Sequence, residues 1–338
     1  MLAERYGVSR GSVRATLADL VEEGRLVRAA GKGTFVAAPR VDAPVLLRAP
    51  SRDIAFVISE NIFRFVETGY NRILAGVEQV CRQRGLRLLF HSVGEEEAEL
   101  HLTGSDGQEP PVVAGCIVTG GVRARTLDRL HAMSIPIVLA DPLVAYDDQH
   151  CSIGFNYAQG TKDVVRYLYE LGHREIGFIG FPNSEKYQSY WHALQEHDIP
   201  YNPNFVEFLE LSDLEPSLLM GFRSMRKMIQ RARIPTATLV TNDLVALGAM
   251  EALAMAGIRV PHEVSVVGFD DLVVDSTPPL TTVRVDSLEL GRTAAQTLLR
   301  KISDDSSVES RVQVPVELVV RGSAAPPKKP VGIRRNNE

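Results

Sequence analysis

Four polar residues stand where a chain could deliver side chains to a ligand: Asp141, Lys186, Asn242 and Asp270. Asp141 follows the apolar run 137–140, and Asn242 follows 238–241. Asp270 closes the run 264–267 by way of Gly268 and Phe269, and Lys186 stands near the start of a helical stretch, 184–197. Open α/β sheets bind ligands beyond the carboxyl ends of their strands. Carboxylates accept hydroxyl protons, an amide both donates and accepts, and an ammonium donates from another side. Together these groups suit a ligand rich in vicinal hydroxyls. Each has a structural alternative. Asn242 and Asp270 could cap the next turn, Lys186 could be solvated, and Asp141 could shape the turn before Pro142.

Other chemistries are poorly served. His173 and His192 have no patterned nucleophile or metal partner. Gly177-Phe178-Ile179-Gly180 lacks the third glycine and downstream acid of a dinucleotide fingerprint, and no phosphate-cradling loop is present. The chain reads as a non-enzyme without a cofactor. Cys81, Cys116 and Cys151 form no zinc or disulfide spacing, which fits reduced thiols in the cytoplasm. No run approaches the ~18 apolar residues of a membrane span. The first 40 residues hold seven basic and four acidic side chains, +3, which leaves −8 for the rest of a chain of net −5. A basic end on an acidic body points to a polyanion partner.

The elements that must position these residues follow from periodicity. Strands are expected at 54–59, 86–90, 116–119 and 137–140, with helices at 69–84 and 125–133. A second lobe is expected to contain helices at 161–171, 184–197, 218–231 and 288–302. Its strands are expected at 176–180, 205–209, 238–241, 264–267, 281–285 and near 312–320. The segment 92–112 supports only a short helix. Such alternation predicts a parallel, doubly wound sheet. Asp243 is placed as the N-cap of the helix after 238–241, and Gly257 as its left-handed C-cap. Leu244, Leu247, Met250, Leu253 and Ala254 read as that helix's apolar face, serving either a dimer or the sheet beneath.

The parts from Asn242-Asp243 through Gly268-Phe269-Asp270-Asp271 to Pro278-Pro279-Leu280-Thr281-Thr282 closely resemble the sugar-sensing domain of the LacI/GalR repressor family. The run LYELGHREIGFIG is similar to its helix–Leu-Gly-His–strand segment. The resemblance covers residues 53–322. It implies two α/β lobes joined by several crossings, of the periplasmic-binding-protein kind, with a sugar between them held by Asn242 and Asp270. At the position of Lys186 the family usually has an arginine that forks two hydroxyls, and lysine lacks that planar fork. Asn61, Phe63, Arg64 and Phe65 match the family's ligand-facing loop loosely, which makes Asn61 and Arg64 candidates.

Residues 1–37 carry the other signature. Val13, Leu17, Leu20 and Val21 recur at helical spacing from Ser12 on, after a turn at Gly7-Val8 and a cap at Ser9. Two short strands flank Gly31-Lys32-Gly33. The runs LAERYGVSRGSVRATLADL and GKGTFV resemble the winged helix-turn-helix of GntR-type regulators. That resemblance implies double-stranded operator DNA as partner. Arg10, Ser12 and Arg14 would sit at the recognition helix, Ser9 and Thr34 on phosphates, and Lys32 and Gly33 at the wing. Such a head normally begins with one more helix, so the head is expected to be truncated. Residues 38–52, with Pro39, Pro44 and Pro50, read as a linker, and 323–338 as a disordered tail. The combination resembles the arabinose repressor family, a homodimeric regulator controlled by a small sugar. The alternative is a sugar-binding sensor that no longer binds DNA because its head is incomplete.

Overall fold

Parallel strands covered by helices on both faces should be apolar along their buried length, and the runs 54–58 and 116–118 meet that description. The computed structural model describes residues 53–59, 69–94, 113–142, 150–210, 216–231, 233–272, 275–304, 307 and 309–328. Within the first 51 residues it describes 9, 11, 13, 16, 17, 20, 21, 26–29 and 33–36. The chain divides into two compact units, residues 1–51 and 52–338.

In the first unit Gly11, Val13, Thr16, Leu17, Leu20 and Val21 are helical. The backbone carbonyl of Ser9 accepts from Val13 N at 3.2 Å, so Ser9 stands at the helix start as expected. Val13, Leu17, Leu20 and Val21 are half-buried, whereas Gly11 and Thr16 are exposed. Strands β1 (Leu26–Ala29) and β2 (Gly33–Val36) pair antiparallel, with Leu26 opposite Val36. This is the hairpin of a wing.

The second unit opens with β3 (Asp53–Ser59), α1 (Tyr70–Gln83), β4 (Arg87–Val93), β5 (Gly115–Gly120), α2 (Ala124–Ala132), β6 (Ile137–Pro142) and β7 (Cys151–Phe155). Next come α3 (Tyr157–Glu170), β8 (Ile176–Gly180), α4 (Glu185–Glu196), β9 (Val206–Phe208), α5 (Ser217–Ile229), β10 (Ala237–Val240) and α6 (Asp243–Met255). The unit closes with β11 (Ser265–Val267), β12 (Thr282–Val285), α7 (Ser287–Ile302), β13 (Arg311–Val314) and β14 (Val316–Val319). The first lobe is a six-stranded parallel sheet in the order β13-β7-β6-β5-β3-β4. The second is a four-stranded parallel sheet, β11-β10-β8-β9. The chain passes between the lobes at Phe155–Tyr157, Val285–Ser287 and Val314–Val316, and β12 and β14 pair antiparallel beside the second sheet.

Several expectations need correction. Strand β7 was not anticipated. Its sequence CSIGF mixes serine and glycine with only three apolar residues, yet it fills the place between β6 and β13. Helix α3 starts at Tyr157 rather than 161, because Asn156 caps it by accepting from Gln159 N. The N-cap of α6 is Asn242, whose Oδ1 accepts from Val245 N at 2.9 Å; Asp243 lies inside the first turn. Gly257, with φ +71°, does end that helix as expected. The buried side of α6 is Val245, Ala246, Ala249, Met250, Ala252 and Leu253, whereas Leu244 and Leu247 are half-buried and Ala254 is exposed. Met250 and Leu253 pack with α5 residues Met225 and Met228 in the lobe core, not on a free surface. Side chains at Gly221 and Gly248 would run into backbone of the facing helix, so glycines set the close α5–α6 approach.

Ser323 and Ala325, expected in a disordered tail, are bound to the second sheet. Ser323 Oγ donates to Val266 O at 2.6 Å and accepts from Thr281 N at 2.8 Å. His173, fully buried, joins the same network. Its Nε2 faces Ala325 O at 3.0 Å and its Nδ1 faces Thr236 Oγ1 at 2.9 Å. A carbonyl only accepts, so Nε2 carries the proton. Burial holds the His173 pKa below its usual value, with the Ala325 carbonyl opposing. A lowered folded-state pKa means that the unfolded chain binds the proton first. Stability from His173 is therefore present above pH ~6.5 and lost as pH falls below it. Thermal denaturation should show a Tm that drops between pH 6.5 and 5 in wild type. In His173→Gln the same interval should be flatter, from a lower starting Tm.

Candidate functional site

The polar cluster lies where the carboxyl end of β6 in the first lobe meets residues following β8, β10 and β11 in the second. Asp141 has a left-handed backbone, φ +49°, which aspartate tolerates better than most residues. Its side chain is buried, and Oδ1 accepts from Tyr157 Oη at 2.8 Å. Burial raises the Asp141 pKa, while the Tyr157 hydrogen bond and the Lys186 charge oppose that rise. Tyr157, the first residue of α3, has its own pKa pushed far up by burial and by the charges of Asp141 and Asp270.

Lys186 lies in the first turn of α4, which is capped by Ser184 Oγ accepting from Tyr187 N. Its Nζ donates to Thr241 O at 2.8 Å and stands 3.7 Å from Asp270 Oδ1. The ammonium also lies 3.9 Å from the Phe269 ring centre and 4.5 Å from that of Tyr157. Two aromatic faces, a carbonyl and a carboxylate thus surround one cation, an arrangement that holds an ammonium well. The solvated alternative for Lys186 fails here.

Asp270 also has positive φ, +104°, and its N–H donates to Val283 O at 2.7 Å. Burial pushes its pKa up to about 7; Lys186 opposes the rise, and Asp243 and Asp141 add to it. The loop bearing Asp270 is anchored on both sides. Asp243, 1% exposed, accepts from Leu272 N at 2.8 Å through Oδ2 and from Thr282 Oγ1 at 2.5 Å through Oδ1. A side chain at Gly268 would collide with the same Asp243 oxygen. Asp271 accepts from Arg284 Nε at 2.8 Å and Arg321 Nη2 at 2.6 Å. Burial would raise the Asp271 pKa, but these two arginines hold it below the usual value.

The structure therefore brings Asp141, Lys186 and Asp270 together and adds Tyr157, Phe269 and the Thr241 carbonyl. Asn242 stands beside Thr241 but spends its Oδ1 on the helix cap. Asn61 and Arg64 lie outside the described residues, as do Arg10, Ser12, Arg14 and Lys32 of the head. Thr34 is exposed on the wing strand next to Gly33, and Ser9 is exposed at the helix start. Sequence reasoning missed Tyr157 because β7 and the first turn of α3 were not recognised, so the strand-to-helix passage it follows went unseen. Among the described residues no group of His, Cys, Asp and Glu is arranged to hold a metal ion. No helix among them is long and apolar enough to cross a membrane.

Two parallel α/β lobes with polar groups converging between them define a periplasmic-binding-protein-like effector fold, here in one chain with a wing hairpin. Residues 165–324 match the periplasmic binding protein-like domain model, and residues 1–36 match that of the gntR family of bacterial regulatory proteins. The HTH-type transcriptional repressor PurR of Haemophilus influenzae is 32% identical over 272 residues, covering 75% of this chain and 77% of that one. The lac repressor dimer bound to operator and the anti-inducer ONPF superposes with a TM-score of 0.68 at 27% identity, over 85% of this chain and 99% of that chain. A transcriptional regulator CelR–cellobiose complex shares the fold, with a TM-score of 0.70 at 24% identity over 94% and 92% of the two chains. The chain belongs to the PurR/LacI family of transcriptional regulators, and its residues 1–36 are of the gntR type.

Proposed function

We propose that this protein is a transcriptional repressor that binds operator DNA through residues 1–37 and is controlled by a small sugar bound by residues 53–322. The residues between act as a linker. The observation that carries the reading is the cluster of Asp141, Tyr157, Lys186 and Asp270 at the meeting of the two lobes. Asp141 and Asp270 accept ligand hydroxyls, and Lys186 donates to a ligand oxygen from its aromatic seat. Asn242 uses its amide NH2 group, and Asn61 and Arg64 contribute further ligand contacts. Ser9, Arg10, Ser12, Arg14, Lys32, Gly33 and Thr34 contact DNA. The pairing of a GntR-type head with this sensor favours the arabinose repressor type, acting as a cytoplasmic homodimer on two half-sites. Ligand that prefers one lobe closure shifts the population toward it and changes how the two heads fit DNA.

The test is fluorescence anisotropy on DNA from the gene's own upstream region, with and without sugars chosen by a thermal-shift screen. Binding should weaken with salt by about 0.9 log units per log unit for each phosphate contacted. One sugar should change the operator affinity by about 5–150-fold. A chain that binds sugar but no upstream DNA at low salt would be a sensor alone.

A further inference from the structure

We infer that Tyr157 is a positioning residue that ties ligand contact at Asp141 and Lys186 to the closure of the two lobes, an inference that rests on the ligand site proposed above. Its backbone lies at a chain crossing, two residues after β7 ends at Phe155. Its hydroxyl reaches back to the first lobe and donates to Asp141 Oδ1 at 2.8 Å. Its ring meets the second lobe, 5.6 Å from the Phe269 ring and 4.5 Å from Lys186 Nζ, and lies 5.7 Å from the Phe155 ring at the end of β7. One side chain therefore touches a candidate ligand contact in each lobe.

The surroundings place this residue at the hinge itself. One turn further along α3, a Cβ at Gly160 would meet Val316 Cγ2 at 2.8 Å and Val283 Cγ1 and Phe269 Cζ at 3.0 Å. Val283 and Val316 belong to β12 and β14, which adjoin the other two crossings. The first turn of α3 is thus packed where all three connections run together. A hydrogen bond whose partners sit in different lobes stabilises only the closure in which it forms. With a carboxylate as acceptor, it biases that closure by about tenfold or more. A ligand that engages Asp141 and Lys186 acts on both ends of the same side chain.

The experiment uses the full chain with nitroxide labels at Asp128→Cys and Glu251→Cys, exposed positions on α2 and α6, one in each lobe. The native cysteines are buried. Electron double resonance reads the separation in wild type, Tyr157→Phe, Asp141→Gly and the double variant. Phenylalanine keeps every ring contact, and glycine removes the acceptor while suiting the left-handed backbone. Each single change should shift the ratio of the two separations about tenfold without sugar, and the double change should add little more, because the two residues act as one unit. Additive shifts, or an unchanged Tyr157→Phe distribution, overturn the inference. Should Tyr157→Phe fail to fold, Asp141→Gly alone decides, and a wild-type separation there overturns it. L-arabinose, D-ribose, D-galactose and cellobiose are then titrated. A sugar that moves the wild-type ratio should move that of Tyr157→Phe less, and an equal response overturns the coupling. If none moves wild type, the sugar reading of the cleft falls, while the sugar-free comparison still decides the role of Tyr157.

Discussion

Asp243→Ala is expected to destabilise the sensor by about 3 kcal/mol, because it strands one buried and one partly buried hydrogen-bond donor at once. Leu272 N and Thr282 Oγ1 both donate to this one carboxylate, which is 1% exposed. For a domain of this size that loss lowers the Tm by roughly 6–12 °C, measurable by calorimetry. Asp243→Asn should fall between wild type and alanine, since one amide oxygen still accepts while the NH2 group faces donors. The ligand response should weaken in parallel, because the loop from Gly268 to Asp271 loses its anchor. An alanine variant with a Tm within about 2 °C of wild type would show that water replaces the carboxylate at little cost.

Asp270→Ala should weaken effector binding by about 2–4 kcal/mol, roughly 30- to 1,000-fold, by leaving buried ligand hydroxyls unpaired. The pH dependence gives an independent signature. With its pKa pushed up to about 7, the Asp270 carboxyl is mostly protonated at pH 6 and mostly ionised at pH 8. A ligand that donates a hydroxyl proton prefers the ionised form, so its Kd should be about tenfold weaker at pH 6 than at pH 8. The stability sign is the opposite. A raised folded-state pKa gives stability that is full below about pH 4 and is lost as pH rises through 7. Calorimetric titration at both pH values checks the binding slope, and Asp270→Asn should abolish it. A variant that folds and binds the effector as tightly as wild type would remove Asp270 from the site.

Strands with simple apolar runs were legible from sequence to within a residue or two. The strand expected at 176–180 is β8 itself, because IGFIG lies between His173-Arg174-Glu175 and the break at Pro182. Failures came where small residues carry the packing. Gly154 and Ser152 hid β7, and Tyr157, Ala158 and Gly160 made the first turn of α3 look like loop. Helix α6 misled for the same reason. Counting large apolar residues picked Leu244 and Leu247, yet Ala246, Ala249 and Ala252 are buried and Gly248 makes the close approach, so the true buried stripe is rotated. At the site, the types and places of Asp141, Lys186 and Asp270 were readable. Which partner each would hold was not, because Tyr157, Thr241 and Asp141 come from different elements joined only by the tertiary fold.

The route of the chain between the lobes has a bearing on how the protein is made. The six-stranded sheet needs β13, whose Arg311 pairs with Ser152 of β7. Helix α1 packs with α7, where side chains at Gly76 or Gly291 would collide with the partner's backbone. Both late pieces emerge from the ribosome only after the second sheet, β8 to β11. The first lobe thus waits, with its edge strand β7 unpaired on one side and α1 uncovered, while more than a hundred residues are synthesised at about 5–20 per second. The second sheet, from β8 to β11, is nearly contiguous in sequence and can form first. During synthesis, the lobe that holds Asp141 is therefore the one that leaves a sheet edge and an apolar helix face open longest.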